Sequence, residues 1–287
     1  MKIAVLGASG FIGRNFIQLL PRHHIIPKVV VRDNKTQFAE CEMILVKSFS
    51  VTRLKEALRG VDVVVNFIGR FPQPFTAQLA TNVDTLANIC EAVDYEHIKQ
   101  FIHFSAAAAY GARHIPPKES DALSPDTTYG LSKQLGEEVI LHFHKTHNLP
   151  YVLFRPTNVY GKTAKQGVIY SMVSSAKNER VIRVTGDGQQ LRDFIHIDDV
   201  TSAIMEVIRQ QKINTIYNLS SQEVVSVRAL AQQVVKQVNA NAHVEYVAEN
   251  TTSIKILTAN NSKLRYETGW MPLWNLYKGI DQVAQSV

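Results

Sequence analysis

The sequence predicts an α/β protein: a doubly wound parallel sheet with a smaller mixed α/β lobe over the carboxyl ends of its strands. Three observations carry this. Short apolar runs rich in β-branched residues alternate with amphipathic stretches of helical length. A glycine-rich turn directly follows the first run. After residue 156 the alternation loosens into loops, short helices and short strands, as a second lobe would. At 287 residues the chain suffices for one large domain or two unequal ones.

The elements follow in order. "KIAVLG" reads as a buried strand, and "RNFIQLLPRHH" as a helix ending at Pro21. "PKVVVRD" is a second strand, and "VTRLKEALRG" a helix closed by a glycine. "VDVVVNFIG" is a strand, "TLANICEAVDYEH" a helix and "IKQFIHFSA" a strand. "YGLSKQLGEEVILHFHKTH" is a long amphipathic helix, and "PYVLFRP" a further strand. The expected large domain spans 1–156 and the lobe 157–287, with segments near 194–220 returning to the large domain. There is no internal repeat and no low-complexity tract.

Composition narrows the function classes. The chain is 20% charged and 45% hydrophobic. No stretch approaches the roughly 18 consecutive apolar residues of a membrane span, so no membrane partner is expected. The first apolar run is too short for a secretory leader and breaks at glycines. Cys41 and Cys90 stand too far apart for a zinc or disulfide pattern, which points to a reducing cytoplasm. The net charge of +6 favours anionic ligands, but the lysines and arginines are scattered, so nucleic acid is not the expected partner. Among ten histidines, only His144 and His147 of "HFHKTH" share a helical face, and no metal site is expected.

The turn "GASGFIG" has a physical reading. Gly7 ends a strand and permits the tight turn, Gly10 lets backbone approach a pyrophosphate, and Gly13 lets the next helix pack closely. Free N–H groups at that helix start offer a seat for phosphate. About 20 residues beyond Gly13, Asp33 closes the second strand, where a carboxylate accepts hydrogen bonds from an adenosine ribose. A Rossmann-type dinucleotide site is the expectation. Arg32 leaves the cofactor open: it pairs with a 2′-phosphate and favours NADP, or it points into solvent. Asp33 would repel that phosphate, so NAD is preferred with NADP possible.

Tyr129 and Lys133 of "YGLSK" stand four residues apart, on one helical face. A neighbouring ammonium favours the phenolate and lowers the phenol pKa. The tyrosine can then take a proton from an alcohol as hydride leaves the same carbon, or return it to a ketone. Lysine can hold the nicotinamide ribose. The spacing alone also fits an ordinary surface pair; the glycine turn upstream is what makes it a signal.

With these motifs in order, the chain resembles the extended short-chain dehydrogenase/reductases, specifically the NAD-dependent epimerase/dehydratase family acting on nucleotide sugars. The resemblance runs nearly end to end through "GASGFIG", "NVDTLANIC", "FSAAAAYG", "YGLSKQLGEE", "FRPTNVYGK", "GDGQQLRDFIHIDDV", "YNLSS" and "TGWMPLWNLYKGI". It implies that Tyr129 is the general acid/base and Lys133 its partner and ribose anchor. Gly7, Gly10, Phe11, Ile12 and Gly13 would hold the pyrophosphate, and Asp33 the adenosine ribose. Phe67, Ile68 and Gly69 would line the cofactor channel, with Pro156 near the nicotinamide carboxamide. Asn158 and Arg192 would contact the substrate phosphates, for which a guanidinium fork is suited; a surface salt bridge is the alternative for Arg192. Relatives are commonly dimers, so a homodimer is implied. Leu131, Leu135, Val139 and Phe143 would serve its interface or the core.

Two departures stand out. The family's Ser or Thr, four residues before the Tyr of "YG", falls on Ala106. Either Ser105 substitutes as a catalytic hydroxyl, or the site lacks that group; losing one such donor costs a few kcal/mol without abolishing catalysis. Near the adenine, Lys47 and Ser48 replace a usual acidic residue. The dehydratases' acid and base positions fall on Ala107 and Ala108, which cannot transfer protons. The expected activity is therefore a 4-epimerase or 4-keto-sugar reductase, with a catalytically weakened dinucleotide-binding sensor as the alternative.

Overall fold

An apolar run such as "VVVN" is stable only with both faces covered, and the chain builds a sheet that covers it. In this computed structural model, which describes residues 1–33, 35–71, 74–248 and 254–287, six strands come first. They are β1 (Ile3–Leu6), β2 (Lys28–Val31), β3 (Glu42–Leu45), β4 (Val63–Asn66), β5 (Gln100–Phe104) and β6 (Tyr151–Pro156). Then follow β7 (Asn158–Tyr160), β8 (Val181–Thr185), β9 (Leu191–His196), β10 (Thr215–Leu219), β11 (Val224–Ser226), β12 (His243–Val247) and β13 (Ile256–Leu257). Seven strands pair in parallel in the order β3-β2-β1-β4-β5-β6-β10. The order reverses between β1 and β4, and a crevice opens there at the carboxyl ends.

Helices cover both faces. Before the sheet's last strand come α1 (Phe11–Leu19), α2 (Val51–Ala57), α3 (Phe75–Leu79), α4 (Thr85–Ala92), α5 (Thr128–His147), α6 (Val168–Asn178) and α7 (Ile197–Arg209). After it come α8 (Val227–Val238), α9 (Ser262–Thr268) and α10 (Leu276–Ser286). Alternate strand residues point to opposite faces. Ile3 and Val5 meet Phe16 of α1 and Val200 and Ile204 of α7, whereas Ala4 and Leu6 meet Leu54 of α2 and Ile89 of α4. A third core joins α6, α8 and α10 to β8 through Val173, Val234, Ile280 and Ile182.

The lobe is not a simple carboxyl-terminal half. β10 pairs with β6 from Thr215 opposite Val152 to Leu219 opposite Pro156, and α7 packs on α1. Residues 197–219 therefore lie in the large layer, joined there by Leu264 and Trp270. The remainder forms a sheet of β11, β9 and β13, with β7 beside β9, and a separate β8–β12 pair.

Three elements differ from the sequence reading, each for a local reason. β3 was not foreseen; as an edge strand it is only half covered, so "EMIL" carries no burial pattern. The helix expected over 85–97 stops at Ala92, because Val93 takes extended backbone (φ −59°, ψ 138°). A π-helical turn over 80–84 precedes it, a form that propensity does not signal. The long helix α5 starts where Thr127 Oγ1 accepts the Gly130 N–H at 3.0 Å, and it ends at Asn148 in the left-handed region (φ 57°).

Gly7 (φ +75°) turns the chain under Phe67 and Ile68, and a Cβ on Gly13 would stand 2.5 Å from the Gly7 carbonyl oxygen. Gly13→Ala is expected to destabilise the protein by about 1–3 kcal/mol through overpacking against rigid backbone, read as a lowered urea midpoint.

Candidate active site

Two cavities open along the crevice. One of about 290 Å³ runs from Gly7 and Ser9 past Arg32, Asp33 and Phe49. The other, about 700 Å³, runs from Gly10 and Gly13 to Tyr129, Lys133, Pro156, Asn158 and Arg192. They share Gly7, Gly10, Phe67, Gly69 and Arg70. Each expected catalytic, cofactor-binding and substrate-binding residue lines one or both, whereas Lys47 and Ser48 line neither: Phe11 and Ile12 face the larger, Ile68 the smaller, and Ser105 the larger.

The smaller cavity fits the adenosine end of a dinucleotide. Gly10 is the N-cap of α1 and no side chain caps that helix, which leaves its first-turn N–H groups for a ligand. Asp33 is exposed at the end of β2 and accepts the Lys35 N–H at 3.1 Å. Arg32 is exposed. Its guanidinium lies over the Phe49 ring, 5.5 Å from the centroid, and forms one wall. Arg14 reaches the turn, donating to the Ser9 carbonyl at 2.9 Å and to Thr36 Oγ1 at 3.3 Å.

In the larger cavity, Tyr129 and Lys133 come together. Lys133 is 4% exposed, lies 5.9 Å from the Tyr129 ring centroid, and donates to the Phe104 carbonyl at 2.8 Å. The Tyr129 ring packs against Phe71 at 4.9 Å. The sequence argument has the ammonium lowering the phenol pKa; here burial wins and pushes the phenol up to about 12. Burial brings Lys133 down to about 8, opposed by the Glu137 carboxylate. Tyr129 is thus a phenol at neutral pH, able to donate a proton.

Ser105 is 2% exposed and gives its hydroxyl proton to Glu137 Oε1. Ala106 is the residue beside it on the cavity wall. The alanine run after it forms a buried 3₁₀ turn, Ala107–Tyr110. The helix α5 lies directly on this turn: a Cβ on Gly130 would collide with the Ala108 backbone carbonyl. Asn158 donates its amide to the Asp193 carbonyl at 2.8 Å. Arg192 donates to the carbonyls of Leu191 at 2.8 Å and Ile254 at 2.6 Å, so part of its fork is already used.

Sequence reasoning missed several contributors. Asn82 joins the loop after β4 to α5, accepting the Arg70 N–H at 3.0 Å and donating to Ser132 Oγ at 2.8 Å. Phe71 and the Arg32–Phe49 wall carried no signal at all. Glu137, two turns beyond Tyr129, shares its face by spacing and was legible in principle.

A dinucleotide crevice with a Tyr-x-x-x-Lys pair on the following long helix defines the extended short-chain dehydrogenase/reductase class. Within it, the chain belongs to the NAD-dependent epimerase/dehydratase family, whose pattern matches residues 3–220. NAD is the cofactor of that family. Among its relatives, dTDP-4-dehydro-6-deoxyglucose reductase of Escherichia coli is 25% identical over 99% of this chain and 97% of its own length. The solved UDP-glucuronic acid 4-epimerase of Bacillus cereus, in complex with UDP-glucuronic acid and NAD, superposes with a TM-score of 0.91 at 22% identity, covering 100% and 98% of the two chains. The dTDP-glucose 4,6-dehydratase of Bacillus anthracis, in complex with NAD, gives 0.88 at 24% identity over 100% and 96%. Among the described residues, no helix is long and apolar enough to cross a membrane.

Asp33→Ala is expected to weaken NADH binding about ten- to a hundredfold, the worth of charge-assisted hydrogen bonds, while weakening NADPH binding less. Titrations followed by nicotinamide fluorescence read both constants.

Proposed function

We propose that this protein is an NAD-dependent enzyme that transfers hydride reversibly at one sugar carbon of a nucleotide sugar. It acts as a 4-epimerase or a 4-keto-sugar reductase, not as a dehydratase. The observation that carries this is the meeting of Tyr129 and Lys133 in a cleft continuous with the glycine turn. When bound, the nicotinamide supplies or accepts the hydride. Tyr129 donates its proton to the carbonyl oxygen of a keto sugar and takes it back in the reverse direction. Lys133 holds the nicotinamide ribose with the donors not given to Phe104. Pro156 lies at the cleft wall where the carboxamide would rest, and Asn158 and Arg192 receive the substrate's phosphates.

What disfavours dehydration is the wall itself. Ala107 and Ala108 hold no proton to move, and both are buried. NAD is preferred over NADP because Asp33 faces the ribose end while Arg32 is stacked on Phe49. We also infer a homodimer through α5, whose Leu131 and Leu135 are each 37% exposed, whereas Val139 and Phe143 pack into the second core. A cytoplasmic location accords with the free thiols Cys41 and Cys90.

Screening UDP-, dTDP-, GDP- and CDP-sugars for turnover tests the activity, with Tyr129→Phe as the control. That variant should keep NADH affinity within about twofold yet lose turnover by a factor on the order of 10² or more; wild-type protein without turnover on any of them supports a binding-only role. Extensive dialysis separates the two favoured reactions, since an epimerase retains its NAD and a reductase releases it.

A further inference from the structure

Glu137 is a buried charged group beside the cleft that this mechanism leaves unused. It is 1% exposed and forms a two-point pair with Arg155, Nη2 to Oε2 at 2.6 Å and Nε to Oε1 at 2.9 Å. Removing two charges from water costs several kcal/mol each, and surface partners would hold α5 in place more cheaply. The position of the pair suggests why it is here. Tyr129, Lys133 and Glu137 follow each other at four-residue steps, so they lie along one face of α5.

That face is clamped by the end of β5 in two places. The Phe104 carbonyl accepts from the Lys133 ammonium, and the next residue, Ser105, donates its hydroxyl to Glu137. The last residue of the strand and the one after it thus bind adjacent turns of a helix. Behind the carboxylate, Arg155 Nη1 donates to Tyr110 Oη at 2.7 Å, and Tyr110 Oη donates to Asn218 Oδ1 at 2.8 Å. The chain of bonds runs from the cleft across β6 to β10.

Charge completes the case. The groups turned toward Lys133 are Tyr129 and Glu137 on α5, His103 on β5 and, behind Glu137, Arg155 on β6. Arg70 lies exposed at the cleft mouth, and Asp84 and Glu91, on elements beside α5, are exposed on the surface. His103 is kept neutral by burial, its Nδ1 taking the Asn66 amide at 3.0 Å, so it adds no second positive charge. One turn along the same helix face, the Glu137 carboxylate opposes the pull of burial on the Lys133 proton.

We propose that Glu137 is a positioning residue for the reaction at Tyr129: it acts through Lys133, keeping that ammonium charged, and through Ser105, fixing the strand end that aims it into the cleft. This rests on the reading of Tyr129 and Lys133 as the reacting pair, and it gives Ser105 a place in the site other than that of a sugar-facing hydroxyl.

The test is the titration of Lys133 itself, followed as the ¹³Cε shift in lysine-labelled protein and assigned with Lys133→Arg. Glu137→Gln keeps shape and removes charge; its Lys133 midpoint should fall by about one pH unit or more, and the high-pH limb of kcat/KM should fall with it. Should Glu137→Gln fold poorly beside an unpaired Arg155, Glu137→Gln combined with Arg155→Met removes both charges and should show a smaller fall in the same direction, since the more distant Arg155 cation is lost as well. Ser105→Ala keeps both charges and should reduce kcat several-fold with the midpoint unmoved. A midpoint unchanged in both charge variants, with only thermal stability reduced, overturns the proposal. The NMR titration needs no substrate, so its outcome stands apart from whether any nucleotide sugar is turned over.

Discussion

The site depends on how closely α5 is seated against backbone. A Cβ on Gly130 would collide with the Ala108 carbonyl, and one on Gly136 would stand 2.8 Å from the carbonyl of Asn82. Two glycines about 1.7 turns apart thus let the helix lie directly on the 3₁₀ turn and on the π-helical segment. Only with that seating does Lys133 reach the Phe104 carbonyl and Tyr129 reach the cleft.

The buried polar groups behind this contact form a second constraint. Asp193, fully buried, accepts from Thr157 Oγ1 at 2.9 Å and from the N–H groups of Ser221 and Gln222 at 3.0 and 2.8 Å. Burial pushes its carboxyl up to about 6, and the donors hold it down. It thereby binds the exits of β6 and β10 to β9, the strand that carries Arg192. Glu137 and Arg155 do the corresponding work beneath the other wall. Each buried charge is surrounded by enough donors or acceptors to stay in place, as interior charges require.

How much of this was legible in the sequence follows from the range of the interactions concerned. Gly7, Gly13, Asp33, Tyr129 and Lys133 are set by local geometry: a turn, a strand end, a helical repeat. Their spacing therefore reads directly. The strands β1, β2, β4, β5 and β6 read from apolar runs because both their faces are covered. β3 did not, since an edge strand needs less apolar surface. Nor did the pairing of Glu137 with Arg155, of Arg32 with Phe49 or of Asn82 with Ser132, because each joins residues brought together only by the fold. Arg192 illustrates the middle ground. Its place on the cleft wall was legible, but its bonds to the carbonyls of Leu191 and Ile254 were not.

The chain path has a consequence for how such a protein can change. Because the backbone leaves the large sheet at Pro156, builds β7 to β9 of the smaller lobe, comes back through α7 to β10 beside the strand it left, and leaves again after Leu219, the lobe is made of two excursions, the first of them held at both ends. Closing so long a loop is an entropic cost that grows only slowly with its length. Segments within 157–196 can therefore lengthen, shorten or be exchanged between relatives while both attachment points stay in place. New specificities would arise by rewriting that interior stretch, leaving the nicotinamide end of the crevice untouched.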